Sequence, residues 1–395
     1  MIQNEFIARR EELMNLIGAG GIAVLPSAKP QIRNRDVYYP YRQESNFYYL
    51  TGFSEPDALI VLIPERKAGE YFLFCREGGL EGADYAFPID LVDEIVPSLI
   101  ANCRRLYYPI AYDREFDERI EDWIDDIEVL ALDQLLQEMR LFKTQAEVEA
   151  IQQAIDISIN AHKRAMQFCR PGLYEYELEA EITHEFLRNG CRSLAYPIIV
   201  AGGANACTLH YTNNNCMLKD GDLVLIDAGV EFDYYASDIT RTFPVNGKFN
   251  PFQRNIYDLV LTIQTAIIDQ VKPGNSWNIL HETGILEATK GLVDLGFVVD
   301  NLDQFYVPHI SHYLGIDVHD PVDYKIEDTW RELEPGMVMT IEPGLYIPAN
   351  KNIPTEYWDI GIRIEDIILI TENGYKILTA AMPKTAAEIE AMLYN

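Results

Sequence analysis

Long apolar runs are missing from this 395-residue chain. Nothing approaches the roughly 18 consecutive apolar residues that a membrane span requires. The opening MIQNEFIARREELMNLIG carries charges where a signal peptide needs an apolar stretch, so it reads as mature structure. Basic residues are scarce as well, 32 Lys and Arg against 62 Asp and Glu. That balance argues against nucleic acid and against a membrane surface as partners, because both call for a basic face. The six cysteines (Cys75, Cys103, Cys169, Cys191, Cys207, Cys216) show no CxxC spacing, which points to reduced thiols and a cytoplasmic protein.

Several familiar signatures are absent too. His184-Glu185 and His281-Glu282 begin like H-E-x-x-H, but Arg188 and Ile285 stand where the second histidine belongs. No serine sits in a G-x-S-x-G elbow. The glycine cluster GAGG, residues 18–21, follows a helical pattern and precedes a strand. A dinucleotide loop does the reverse, so this cluster reads as a helix C-cap and a nucleotide-binding protein is excluded.

What remains is an ordinary globular composition, 48% hydrophobic and 24% charged, in a chain long enough for two domains. A helix is predicted over 3–17, then strands at IAVLP, ALIVLIP and EYFLFC, with helices near 90–100 and 113–124. The stretch TQAEVEAI announces a new helix: Thr144 and Glu147 form a capping box ahead of Val148, Ile151 and Ile155. We therefore expect an α/β domain over 1–143 and a second domain over 144–395. In the second, helices are expected at about 175–188, 251–271 and 276–295. Strands are expected at IIVAG, LVLIDAG, DITRTFPV, MVMTIEPGLYI and IRIEDIILIT.

Acids recur inside apolar, β-branched sequence of this second part. Asp227 ends the run Leu223-Val224-Leu225-Ile226, and Asp238 opens Ile239-Thr240-Arg241-Thr242-Phe243. Glu342 and Glu365 sit in MTIEPGLYI and IRIEDIILI, and His312 lies in SHYLGIDVHD. Asp220 and Asp222, in KDGD, read as turn residues. An unpaired carboxylate in a dry site costs several kcal/mol, so buried acids are paired or bind a cation. Few basic residues lie nearby in these segments, and two divalent cations would balance four carboxylates. Oxygen-rich ligation with one imidazole suits manganese, with cobalt, iron and zinc as alternatives. Two such ions can share a bridging hydroxide and polarise the carbonyl it attacks.

These segments carry a family resemblance. HYTNNNCMLKDGDLVLIDAGVEFDYYASDITRTFPVNGKF, SHYLGIDVHD, LEPGMVMTIEPGLYI and GIRIED together resemble aminopeptidase P, the Xaa-Pro aminopeptidase of the pita-bread metallopeptidases. NRDVYYPYRQESNFYYLTGFSEPDALIVL resembles that family's N-terminal domain. The resemblance implies a creatinase/prolidase-type, ribonuclease H-like α/β domain, then an α+β pita-bread catalytic domain with a curved antiparallel sheet. It implies Asp227 as first metal ligand, Asp238 and Glu365 bridging two ions, and His312 and Glu342 completing the second ion's shell. His210 would stabilise the oxyanion, His319 would donate to the peptide, and Glu342 would relay a proton to the leaving proline nitrogen. Arg363, with Tyr346, would support the site from behind the ligands. The substrates implied are peptides with proline second, whose missing N–H and fixed φ defeat general aminopeptidases. A homo-oligomer, dimer or tetramer, is implied as well.

Two features depart from the family pattern. Family members have His-Gly ahead of the ligand histidine, whereas here Pro308 precedes His309, three residues before His312. The segments near CREGGLEGADY and NLDQFYVP are shorter. Alternatives on the same ligands are a prolidase restricted to Xaa-Pro dipeptides, or a pita-bread protein without peptidase activity, of creatinase or binding-module type.

Overall fold

The computed structural model describes residues 3–76, 83–299, 302–306, 310–351 and 353–393. The chain divides into two compact units after Arg140, rather than after Lys143 as the capping box suggested. The three residues change side because Lys143 N–H donates to the Gly336 carbonyl at 2.9 Å and Phe142 bridges to Met337, both in the second unit.

In the first unit, helix Gln3–Ile17 ends at Gly18, whose N–H reaches the Met14 carbonyl, so the glycine cluster is indeed a cap. A six-stranded mixed sheet follows, in the spatial order Tyr85–Pro88, Tyr71–Cys75, Leu59–Leu62, Gly21–Pro26, Arg105–Tyr108, Glu128–Ala131. Its central strands are buried along their length, and Ile22, Val24, Val61, Phe72, Phe74 and Leu106 form the core with helix Val92–Ile100. Helix Ser45–Thr51 was hidden in aromatic, strand-like sequence. It forms because Glu44 accepts the Phe47 N–H at 2.6 Å and Gly52 closes it at φ 67°. A Cβ at Gly52 would also lie 2.5 Å from the Phe6 ring, so only glycine serves there.

The second unit opens with helix Gln145–Phe168, and both halves of the Thr144–Glu147 capping box are formed. Helices Glu175–Arg188, Pro251–Ile268 and Asn278–Asp294 follow close to their expected bounds. Among the described residues the strands pair only antiparallel, and besides two short hairpins, Glu231–Phe232 with Tyr235–Ala236 and Lys325–Ile326 with Thr329–Trp330, they form three sheets. Leu223–Asp227 runs between Ile199–Gly202 and Thr240–Pro244; Asp366–Thr371 runs between Val338–Ile341 and Gly374–Ile377; Gly344–Ile347 pairs with Ile360–Arg363.

Two strands expected as single runs are each broken. Ile341 pairs with Asp366 and Gly344 with Arg363, so Glu342-Pro343 lies opposite Ile364-Glu365 with the ladder interrupted. Pro343 has no N–H to give a partner, which makes the interruption a property of the sequence. Both glutamates singled out above fall in this gap. Among the described residues, no helix is long and apolar enough to cross a membrane.

Candidate metal centre

Each acid is delivered by an element whose other face is core. Asp227 closes the strand Leu223–Asp227, and the chain turns back through 228–237 to Asp238. Gly229 permits that return, since an added Cβ would lie 1.8 Å from the Ser237 carbonyl oxygen. The helix Gln145–Phe168 braces the turn from behind. Ser158 and Ser237 share a hydrogen bond of 2.8 Å, His162 Nε2 lies 3.2 Å from the Ala228 carbonyl, and Tyr235 donates to Glu147 at 2.9 Å. Glu342 and Glu365 come from the gap, and His312 from the segment beside Val338–Ile341, where its N–H meets Thr340 Oγ1. Asp222 accepts the Lys219 N–H, a turn residue as expected.

The structure brings Asp238, His312 and Glu365 together, with one donor atom from each within 4.8 Å of the others. His312 Nε2 stands 3.4 Å from Asp238 and 3.2 Å from Glu342 Oε1. Asp227 joins from the other side through Tyr196, whose hydroxyl lies 2.6 Å from Asp227 Oδ1 and 2.5 Å from Asp238 Oδ1. Arg363, expected behind the ligands with Tyr346, reaches Asp227: its Nη2 contacts Asp227 Oδ2 at 2.5 Å, and its Nη1 meets the Tyr346 hydroxyl at 2.8 Å. A long arginine from the other ladder reaches the acid, which spacing along the sequence does not reveal. Three carboxylates rather than four therefore remain without a basic side chain of the Arg or Lys type.

The donor set fits divalent cations. His312 Nδ1 lies 3.1 Å from the Tyr313 carbonyl, which can only accept, so Nδ1 carries a hydrogen; Nε2 faces the acids, donating to them when protonated and leaving a lone pair for a cation once that proton is lost. Tyr196 has a single hydroxyl hydrogen for two carboxylates. Glu365 Oε2 accepts from Thr240 at 2.8 Å, but its Oε1 is buried with no hydrogen-bond partner. Lone pairs converge with too few hydrogens between them, an arrangement that a cation completes.

The charges record the same excess. Burial, then Asp238, Glu342 and Asp227, push the Glu365 carboxyl well above the ordinary glutamate range. Burial and then Asp227 raise Asp238 to about 6, against the pull of His312. Burial alone would lower the His312 imidazole, but its contacts with Asp238 and Glu342 together raise it well above 6.5. Burial also works to raise Glu342, and there His312, Arg363 and Thr340 together outweigh it, so the net shift is downward. Burial and the two aspartates keep the Tyr196 hydroxyl protonated.

Asp227, Asp238, His312 and Glu342 line a cavity of about 1120 Å³, with Glu365 buried behind them. His210, His319 and Tyr346 line it as well, and the rings of His312 and His319 stand 4.2 Å apart. Burial first, and the neighbouring His312 next, hold His319 below its ordinary 6.5, which favours the neutral imidazole. Asp320, next along, is locked to Lys143 at 2.9 Å with both side chains buried, which anchors the segment bearing His319. The walls are largely apolar, with Trp277, Tyr324 and Trp330 on one side. His309 lies outside the described residues. Tyr196, Thr240 and Thr340 escaped the reading of the sequence. Tyr196-Pro197 just before an apolar strand was the one signal available, a polar tip at the edge of core.

A model of metallopeptidase family M24 matches residues 149–372, and one of the aminopeptidase P N-terminal domain matches residues 6–81. The chain belongs to metallopeptidase family M24. It is 42% identical to the Xaa-Pro aminopeptidase of Haemophilus influenzae over 419 residues, covering 99% of this chain and 97% of that protein. It is 40% identical to the Escherichia coli K12 Xaa-Pro aminopeptidase, covering 99% and 98%. Among solved structures, Pseudomonas aeruginosa aminopeptidase PepP superposes with a TM-score of 0.96 at 46% identity, covering 100% of this chain and 98% of that one. A zinc-substituted E. coli aminopeptidase P in complex with product gives 0.94 at 38% identity, covering 100% and 98%. The architecture is that of this family: an aminopeptidase P N-terminal domain followed by a pita-bread domain.

Proposed function

We propose that this M24 protein is a metal-dependent Xaa-Pro aminopeptidase, releasing the N-terminal residue of peptides whose second residue is proline. Full-length relatives of that name support the activity. The single observation that carries the reaction type is Glu365, which has a buried, partnerless oxygen and clusters with Asp238 and His312. We assign Asp227, Asp238, His312, Glu342 and Glu365 as the residues that would hold two divalent ions. Manganese suits their oxygen-rich set, with cobalt, iron and zinc as alternatives. Bound there, such ions acidify water and polarise a carbonyl.

The chain's own groups do the rest. His210, on the cavity wall, donates to the oxygen of the carbonyl under attack, and neutral His319 donates to the peptide near the scissile bond. Glu342 accepts a proton and passes it to the departing proline nitrogen. Arg363 holds Asp227 and Tyr346 in place. The substrate's free amine is drawn to the acidic floor, which suits an exopeptidase, and the apolar wall accommodates the proline ring. The second domain, 144–395 with its short lead-in from Leu141, holds every group assigned. Six free thiols accord with action in the cytoplasm, and the family resemblance favours a homo-oligomer.

The deciding experiment is elemental analysis of the purified protein, coupled to assays on Xaa-Pro-Yaa tripeptides before and after chelation. Stoichiometric divalent metal and chelator-sensitive, proline-dependent release are expected; cleavage indifferent to chelation would end this reading. Cleavage confined to Xaa-Pro dipeptides would instead identify a prolidase.

A further inference from the structure

We propose that Glu175, the first residue of helix Glu175–Arg188, is a positioning residue for His210. The inference rests on the reading of His210 as a donor to the substrate carbonyl. Glu175 is completely buried. Its carboxylate accepts four hydrogen bonds, two at each oxygen. Oε1 takes the Gly202 N–H at 2.8 Å and Asn205 Nδ2 at 2.9 Å; Oε2 takes the Tyr211 hydroxyl and the Cys216 N–H, each at 2.8 Å. All four donors belong to one stretch, residues 202–216, which carries Leu209, His210 and Thr212 to the cavity. A carboxylate out of water needs its lone pairs filled, and this one fills them entirely from the segment that bears the histidine.

A second grip lies one helical turn on. Glu179 accepts from Asn214 Nδ2 at 2.9 Å, and Asn214 Oδ1 in turn accepts the Val200 N–H at 3.0 Å. Asn214 adopts φ 46°, a backbone turn that asparagine tolerates. One helix face thus holds the segment at its start, middle and end. Between the grips, Tyr211 is drawn into a buried cluster with Ile199, Ala201, Leu225 and Tyr346, while its neighbour His210 is left exposed on the cavity side. The imidazole's position follows from where Tyr211 is fastened, and Glu175 fastens it.

Glu175→Gln tests this, because an amide nitrogen cannot accept from a backbone N–H. Turnover on an Xaa-Pro-Yaa tripeptide should fall about 10–100-fold, the range for groups that orient a reacting residue. Bound metal should equal the parent's. In a His210→Ala background the same change should cost less than about threefold, since nothing is left to position. Tyr211→Phe removes one of the four bonds and should lower kcat several-fold with the same dependence on His210. It carries the test alone if Glu175→Gln does not fold. Parental kcat in Glu175→Gln, depleted metal, or equal losses with and without His210 would each overturn the proposal. If His210→Ala itself turns over as fast as the parent, the positioning role falls while the peptidase reading stands. A parent without proline-dependent cleavage would remove both.

Discussion

The carboxylates of Glu365 and Asp366 leave one stretch of backbone on opposite sides and meet different company. Asp366 is met by Arg241 at 2.8 Å, Lys384 at 2.8 Å and Thr379 at 2.7 Å. Burial would raise its pKa, but Arg241 and Lys384 outweigh burial and hold it below 3.8. Glu365 finds one hydroxyl and a group of other acids, and its pKa moves the opposite way. Both side chains are almost wholly buried. Burial alone therefore does not mark a functional acid; a burial whose lone pairs outnumber the hydrogens offered to them does. Glu175 and Asp320 fall on the structural side of this line, Asp238 and Glu365 on the other.

The sharpest way to break the contrast is substitution on each side of it. Glu365→Ala or Asp238→Ala should lower proline-directed cleavage beyond about 10³-fold and deplete bound metal, the several kcal/mol that a cation supplies. Metal-free Glu365→Ala should melt no lower than the metal-free parent, because the acid removed repels its neighbours; retained activity with full metal would sink the assignment. Asp366→Asn should behave inversely. Losing its charge leaves Arg241 buried beside a neutral amide, so destabilisation of about 3–5 kcal/mol is expected in denaturant titrations. The folded fraction should still bind metal.

A third kind of burial, a neutral imidazole, sharpens the picture. Burial lowers His162 to about 4 from its ordinary 6.5. Between those values the unfolded chain binds a proton that the folded chain refuses, so stability falls as pH drops from 6.5 through 4. The loss is about 3 kcal/mol in total. His162→Gln lacks this term. The stability gap between metal-free parent and variant should shift by that amount in the parent's disfavour on acidification, and a pH-independent gap would refute it. The smallest expected effect is Tyr196→Phe. It withdraws the hydrogen shared by Asp227 and Asp238, and metal affinity measured by competitive chelation should change about tenfold.

Much of this was legible in the sequence because carboxylates inside β-branched runs contradict their surroundings, and contradictions are visible locally. Thr144 and Glu147 were readable for the same reason, since a capping box is complete within four residues. What escaped depends on contacts between distant segments. The run from Met337 to Ile347 is apolar apart from Thr340 and Glu342, and nothing in it shows that pairing moves from Asp366 to Arg363 across Pro343. Arg363 belongs to Asp227 only because two ladders face each other. Helix Ser45–Thr51 overrode its own residue preferences through Glu44 and Gly52, and Tyr196 acquires its role from acids 31 and 42 positions away.

The interrupted ladder carries a consequence for how such a chain tolerates change. Because consecutive side chains at 365 and 366 face opposite ways, inserting or deleting a single residue in the gap would rotate every following position by half a turn. Asp366 would then face Asp238 and His312, and Glu365 the lysine and arginine. Point substitutions can drift around this segment, whereas indels of odd length would exchange the acid proposed to hold metal and the structural acid in one step.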